Sequence, residues 1–167
     1  MKKIKLENTT FEFFQGEEIY AIHPSFKRVE EYFSAKTQKK RLANRKDFSP
    51  LDFRDLLPLI MIFDVQQDES DTHPIFKFRI IGTDLTPFLG DQTGKDIRCI
   101  KSQQILDRLT YMLNKSVKLK KPLGLVAREV SFEKKYLQSS GIYYPMSSDG
   151  ETIDKVMVLV HLTYENE

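Results

Sequence analysis

Apolar positions along this chain recur at two spacings, and each change of spacing marks a boundary between elements. From Ser25 to about Lys40, Phe26, Val29, Tyr32 and Phe33 fall on one side of a helix whose other positions are mostly charged, with Ser25 as its N-cap. Ser49-Pro50-Leu51-Asp52 restarts a helix: serine as cap, proline at the first helical position and an acid where exposed amides favour negative charge. Pro58 stops it about two turns later. Leu59 to Val65 is an unbroken apolar run of strand length, as expected of a strand covered on both faces. Ile75 to Ile80 alternates, which places Phe76, Phe78 and Ile80 on one face and Lys77 and Arg79 on the other.

Further along, Gly82-Thr83-Asp84 supplies a turn and a cap, Leu85 to Leu89 a short helix, Gly90 its left-handed end, and Thr93-Gly94 another turn. The clearest helix runs from Ser102 to about Lys118, where Ile105, Leu106, Leu109, Met112, Leu113 and Val117 share a face and Pro122 marks the end. Three strands follow: Leu125 to Phe132, Ile142 to Met146, and Val156 to Tyr164, with Ser147-Ser148-Asp149-Gly150 turning between the last two. Residues 1 to 23 offer Phe11, Phe13 and Phe14 as packing anchors for a strand or an ordered arm. Strands at both ends of a helical middle predict an antiparallel α+β domain rather than alternating βαβ units.

Composition narrows the class of protein without naming a function. The 167 residues, 40% hydrophobic, suffice for one core and not for two. With 26 basic and 24 acidic side chains the net charge is +2, too mild to imply nucleic acid or an anionic membrane. The basic run Lys36, Lys39, Lys40, Arg41, Arg45 and Lys46 reads as a solvated helix end, where cations favour the dipole. A single cysteine, Cys99, excludes a disulfide scaffold and fits a reducing compartment. No signal-peptide core and no run of about 18 apolar residues is present, so a cytoplasmic, soluble protein is expected.

The element order, together with several short motifs, resembles the PAS domain and in particular a bacterial family of stand-alone PAS-like proteins. The resemblance rests on Asn44-Arg45-Lys46-Asp47-Phe48-Ser49-Pro50, then Leu56-Leu57-Pro58-Leu59-Ile60 and Asp64-Val65. It continues through Arg79, Gly82 and Thr83 (an Arg-x-x-Gly-Thr pattern), Leu85, Gly90, and Thr93-Gly94. It covers residues 25 to 164, with Tyr32 and Phe33 where a tryptophan is expected in the N-terminal helix. It implies a five-stranded antiparallel sheet with helices across one face, an N-terminal helix extension, and a small internal cavity. Residues 1–24 then form a lead segment and 25–167 a single PAS-like domain. About 25 residues precede the PAS-like core and almost none follow it, which leaves room for a sensor or adaptor and none for an effector.

Catalytic signatures are not apparent. His23, His73 and His161 lack metal-ligand spacing, and there is no nucleophile elbow or phosphate-binding glycine loop. No flavin or haem cofactor is expected. Asp96-Ile97-Arg98-Cys99-Ile100 departs from the Asn-Cys-Arg-Phe-Leu of photoactive flavin domains, and residues 84 to 118 hold no histidine for haem. A small organic ligand is the remaining possibility, in a cavity for which parity and helical phase suggest Phe63, Phe78, Ile80, Leu109, Met112, Tyr144, Met146 and Val158. A closed hydrophobic core would draw on the same residue types. Arg79, among apolar neighbours, must reach solvent or find a carboxylate such as Asp84, Asp91 or Asp96.

The expected protein is a non-enzymatic sensor that binds a small metabolite or acts through a signalling partner such as a histidine kinase. The stripe of Phe26, Val29, Tyr32 and Phe33 needs a cover, which its own sheet or the same helix of a second subunit could supply; it is the expected surface for homodimerisation or docking. The alternatives are a small isomerase- or hydrolase-type enzyme relying on Asp64, Arg79 or Tyr144, and a structural adaptor with a filled core.

Overall fold

The computed structural model of the chain describes residues 1–130 and 136–165; Phe132, placed above at the end of a strand, lies outside them. In chain order the elements are β1 (Lys2–Lys5), β2 (Thr10–Gln15), α1 (Pro24–Thr37), β3 (Ile60–Gln66), β4 (Ile75–Ile81), α2 (Thr86–Leu89), α3 (Gln103–Leu119), β5 (Leu123–Val130), β6 (Tyr136–Met146) and β7 (Lys155–Glu165). Single 3₁₀ turns at Pro50–Phe53 and Leu57–Leu59 replace the short helix expected there. The strands form one sheet in the order β1-β2-β5-β6-β7-β3-β4, antiparallel at every pairing.

Five of these strands, β3 to β7, are the ones the apolar pattern implied; the sheet is seven-stranded because the lead segment adds a hairpin. Its alternation is visible in Thr10-Phe11-Glu12-Phe13, where Phe11 and Phe13 are buried and Glu12 is exposed. A lone hairpin is marginal in water. This one gains a neighbour through β2, where Phe13 lies opposite Leu125 of β5. Its two phenylalanines also meet Tyr111 of α3 edge-on, with ring centroids 5.5 and 6.2 Å away.

Helices cover both faces rather than one. α3 packs on the face carrying Phe63, Phe78, Tyr143, Val156 and Val158, with Leu109, Met112 and Leu113 as its buried apolar residues. α1 and the turns around Phe48 and Phe53 cover the opposite face, which carries Ile60, Ile62, Ile142, Met157 and Leu159. The stripe assigned to a second copy or partner is therefore consumed within the chain: Phe26, Val29 and Phe33 are each 0% exposed. Tyr32 is half-buried, its hydroxyl 2.9 Å from both the Asp47 carbonyl and the Asp52 carboxylate, and it accepts from the Ser49 amide at 3.0 Å. A one-faced helix needs covering, and here the chain's own sheet does it.

α1 begins two residues earlier than expected, with His23 rather than Ser25 as N-cap: the ring Nδ1 accepts from the Ser25 amide at 3.2 Å. The same ring stacks on His161 of β7, with centroids 3.7 Å apart. Burial, and secondarily the neighbouring His161, hold His23 below the ordinary histidine range. A depressed folded-state value means that the unfolded chain takes up the proton first as pH falls. The stabilisation is complete above about pH 6.5, the unfolded value, and declines below it. The melting temperature should accordingly fall between pH 7 and pH 5. His23→Asn, which retains a capping side chain but does not titrate, should fall less steeply in the same scan.

A bulge in β4 overturns the expected alternation. Ile62 pairs with Ile80 and Phe63 with Phe78, so Arg79 is an extra residue. Phe76 and Phe78 face α3, whereas Ile80 turns to the α1 side. Arg79 projects outward with 65% of its side chain exposed, 3.9 Å from Asp64, whose other oxygen accepts from Lys155 at 2.7 Å. Its carboxylate is thus across the strand pair and is not Asp84, Asp91 or Asp96.

Candidate functional site

Where α3 crosses β5, β6 and β7, a cavity of about 90 Å³ opens on one side. Strand alternation sets its floor: Leu137, Ser139, Gly141 and Tyr143 of β6 share the α3-facing side, flanked by Leu125 of β5 and by Val160 and Leu162 of β7. The wall comes from Ile105, Arg108 and Leu109 of α3, and the rim from Leu85, Phe88 and Leu89 in and before α2. Gly141 sits between Leu125 and Val160 in the pairing. A Cβ there would meet nothing closer than the Tyr143 ring edge at 3.4 Å, so sterics do not demand glycine. Its effect is to leave the floor open.

Of the eight residues expected to line a cavity, Leu109 alone lines this one. Phe63, Phe78, Met112 and Val158 lie on the same side of the sheet but close-pack into the core. Ile80, Tyr144 and Met146 are on the opposite face, Ile80 because of the bulge and the other two because β6 alternation there points even-numbered residues toward α1. Tyr144 stacks on Phe33 at 4.6 Å and its hydroxyl donates to Glu30 at 3.3 Å. Pro145 lies beyond Tyr143, the last β6 residue with a β5 partner, where β6 has a single neighbouring strand.

Two functional candidates escaped the sequence reading. Arg108 is only 7% exposed, and its guanidinium donates to the Thr9 hydroxyl at 3.2 Å. Burial pushes its pKa down. Tyr143 is 5% exposed, and burial raises its phenol well above the ordinary value, so it stays a neutral donor. The helical phase did contain the signal: Arg108 stands three residues after Ile105 and four before Met112, on the inward face. A basic residue on such a face is ordinarily read as a surface residue.

The glycine and threonine motifs build a corner beside this site. Gly82 is pressed against the backbone of Pro58 and donates to the Ile60 carbonyl at 2.8 Å. Thr83 is exposed, and its carbonyl accepts from the Thr86 hydroxyl; its own side chain does not cap α2. Gly90 ends α2 with φ of 77° but ψ of 176°, a mirror-extended rather than a left-handed helical conformation. Gly94, with φ of 81°, donates to the Phe78 carbonyl while Phe78 donates to Lys95, so the Thr93-Gly94 turn closes the outer edge of β4. None of Arg79, Gly82, Thr83, Gly90, Thr93 and Gly94 lines the cavity.

Among the described residues no cluster of three or more His, Cys, Asp or Glu is placed to hold a metal ion, and no helix is long and apolar enough to cross a membrane. Neither a search of curated proteins nor one of solved structures gave a match. A comparison with protein families matches residues 21–157 to the PAS domain. That stretch takes in α1, the cavity helix and the five strands β3 to β7 up to Met157, which places the chain in the PAS domain family.

Proposed function

We propose that this PAS domain is a sensory module that takes a small organic molecule into the cavity under α3 and passes its occupancy to a signalling partner, such as a histidine kinase, by direct contact. The observation that carries this reading is an apolar, part-open cavity into which a few polar groups converge, namely Arg108, Ser139 and Tyr143. Binding is favoured over catalysis because the described lining holds no carboxylate or histidine. The groups an enzyme was expected to use lie elsewhere: Asp64 is ion-paired with Lys155, Arg79 is on the surface, and Tyr144 is on the other face. A raised tyrosine such as Tyr143 is a poor general base at neutral pH.

Native mass spectrometry of the purified chain, compared with its denatured mass, tests the reading. A small adduct that disappears on denaturation is expected. Repeated absence of any adduct from cell-derived protein, with no ligand raising the melting temperature, would leave the filled-core adaptor as the better description.

A further inference from the structure

Resting on the ligand-binding reading above, we infer that the cavity takes a small neutral carbonyl compound, a short-chain ketone being the simplest. Its oxygen accepts from the Tyr143 hydroxyl, and its apolar body lies among Leu85, Leu109, Leu137 and Val160. Tyr143 carries the argument. It is 5% exposed, and among the described residues nothing hydrogen-bonds its hydroxyl. Burial and, opposing it, the charge of Arg108 are what act on the phenol. A buried donor without a partner is costly to a fold, so one that persists beside an open space marks where a ligand's acceptor belongs. The ring leans back along β6 over Gly141, where a Cβ would meet the ring edge at 3.4 Å, and so lies across the cavity floor. Ser139, on the far side of Gly141, is half-buried and does not share the constraint.

The rest of the lining sets the charge and size of the occupant. Its one charged side chain, Arg108, already donates to the Thr9 hydroxyl at 3.2 Å and is not free to take up a ligand's charge. A charged molecule would therefore lose its water in a mostly leucine-lined space with no counter-charge available to it. A carbonyl oxygen, by contrast, answers the phenol and adds no donor of its own. A buried apolar cavity of roughly 150 Å³ holds benzene, so about 90 Å³ holds about four heavy atoms, with the open side accommodating one or two more. That matches butan-2-one and excludes aromatic ketones and nucleotides.

The test is a titration of the full chain, followed by amide resonances of α3 and β6, with butan-2-one and with propionate, an anion of similar size. Butan-2-one should produce saturable shifts, and propionate should bind at least about tenfold more weakly. Tyr143→Phe, which removes only the hydroxyl, should weaken butan-2-one by about tenfold. The same unliganded variant should melt at an equal or higher temperature, because the group lost had no partner in the fold. A lowered melting temperature, or failure of the variant to fold, would show that the hydroxyl already holds the core and would overturn the assignment, as would unchanged affinity for butan-2-one. Equal or tighter binding of propionate to the unaltered protein overturns the neutral class while the cavity remains a ligand site. Binding of neither probe overturns the carbonyl class; the adduct in native mass spectrometry decides separately whether the ligand reading falls with it.

Discussion

Replacing Gly82 with alanine is expected to lower stability by about 3 kcal/mol or more, a drop on the order of 10 °C in melting temperature for a chain of this size. A Cβ at this position would lie 2.2 Å from the Pro58 carbonyl oxygen, 2.4 Å from its carbon and 2.7 Å from the Leu57 oxygen. These are backbone atoms, and they cannot swing aside as a side chain can. Pro58 is further fixed because its carbonyl accepts from the Asp84 amide at 2.9 Å. The requirement is one of space, which separates Gly82 from Gly94, whose φ is 81° but whose missing Cβ would meet nothing within 4 Å. Gly94→Ala should cost only about 1 kcal/mol, from backbone strain alone. Urea denaturation of both variants checks the contrast, and near-equal losses would show that the corner yields more readily than its geometry implies.

Introducing aspartate at Val29 should abolish cooperative unfolding altogether. Val29 is 0% exposed between Phe26 and Phe33 on the sheet-facing side of α1. A buried, unpaired carboxylate costs several kcal/mol, a large share of the roughly 5–15 kcal/mol that holds a domain together. Reversing an exposed charge on the same helix, Lys27→Glu, should change little, because Lys27 is 66% exposed and only loosely paired with Glu31 at 3.9 Å. Circular dichroism with light scattering separates the two roles α1 could have. Lost near-ultraviolet signal at Val29→Asp identifies a core helix, whereas a folded protein of reduced mass would return α1 to the role of an interface.

These two positions also show what the sequence displays and what it hides. The stripe on α1 and the phase of α3 were plain in the spacing of Phe26, Val29 and Phe33 and of Ile105, Leu109 and Met112. Spacing reveals that a face is apolar and leaves open whether the chain's own sheet or a second copy covers it; for Phe26, Val29 and Phe33 the cover is the sheet. In β6, Ile142, Tyr143 and Tyr144 are all buried because both faces of the sheet are covered. An unbroken apolar run carries no parity, so spacing does not distinguish Tyr143, which faces the cavity, from Tyr144, which does not. The bulge at Arg79 is a similar case: one extra residue redirects Ile80 without any compositional mark. The hairpin does leave a mark in the sequence, for Phe11 and Phe13 alternate with polar residues as in a strand with one covered face.

That hairpin bears on the order in which the chain can assemble. β2 finds its second partner in β5, at residues 123–126, over a hundred positions further along, while its only nearby partner is β1. β3 likewise waits for β7 to complete its pairing, although β4 is available at once. Closing such long loops is entropically costly before any contact compensates it, so folding should be slow for a chain of this length. During synthesis Phe11 and Phe13 emerge before α3 and β5, the elements that cover them in the finished fold. The lysines at positions 2, 3 and 5 on the outermost strand put charge along that edge, before as well as after the sheet is complete, and charge of this kind opposes edge-to-edge pairing with another chain.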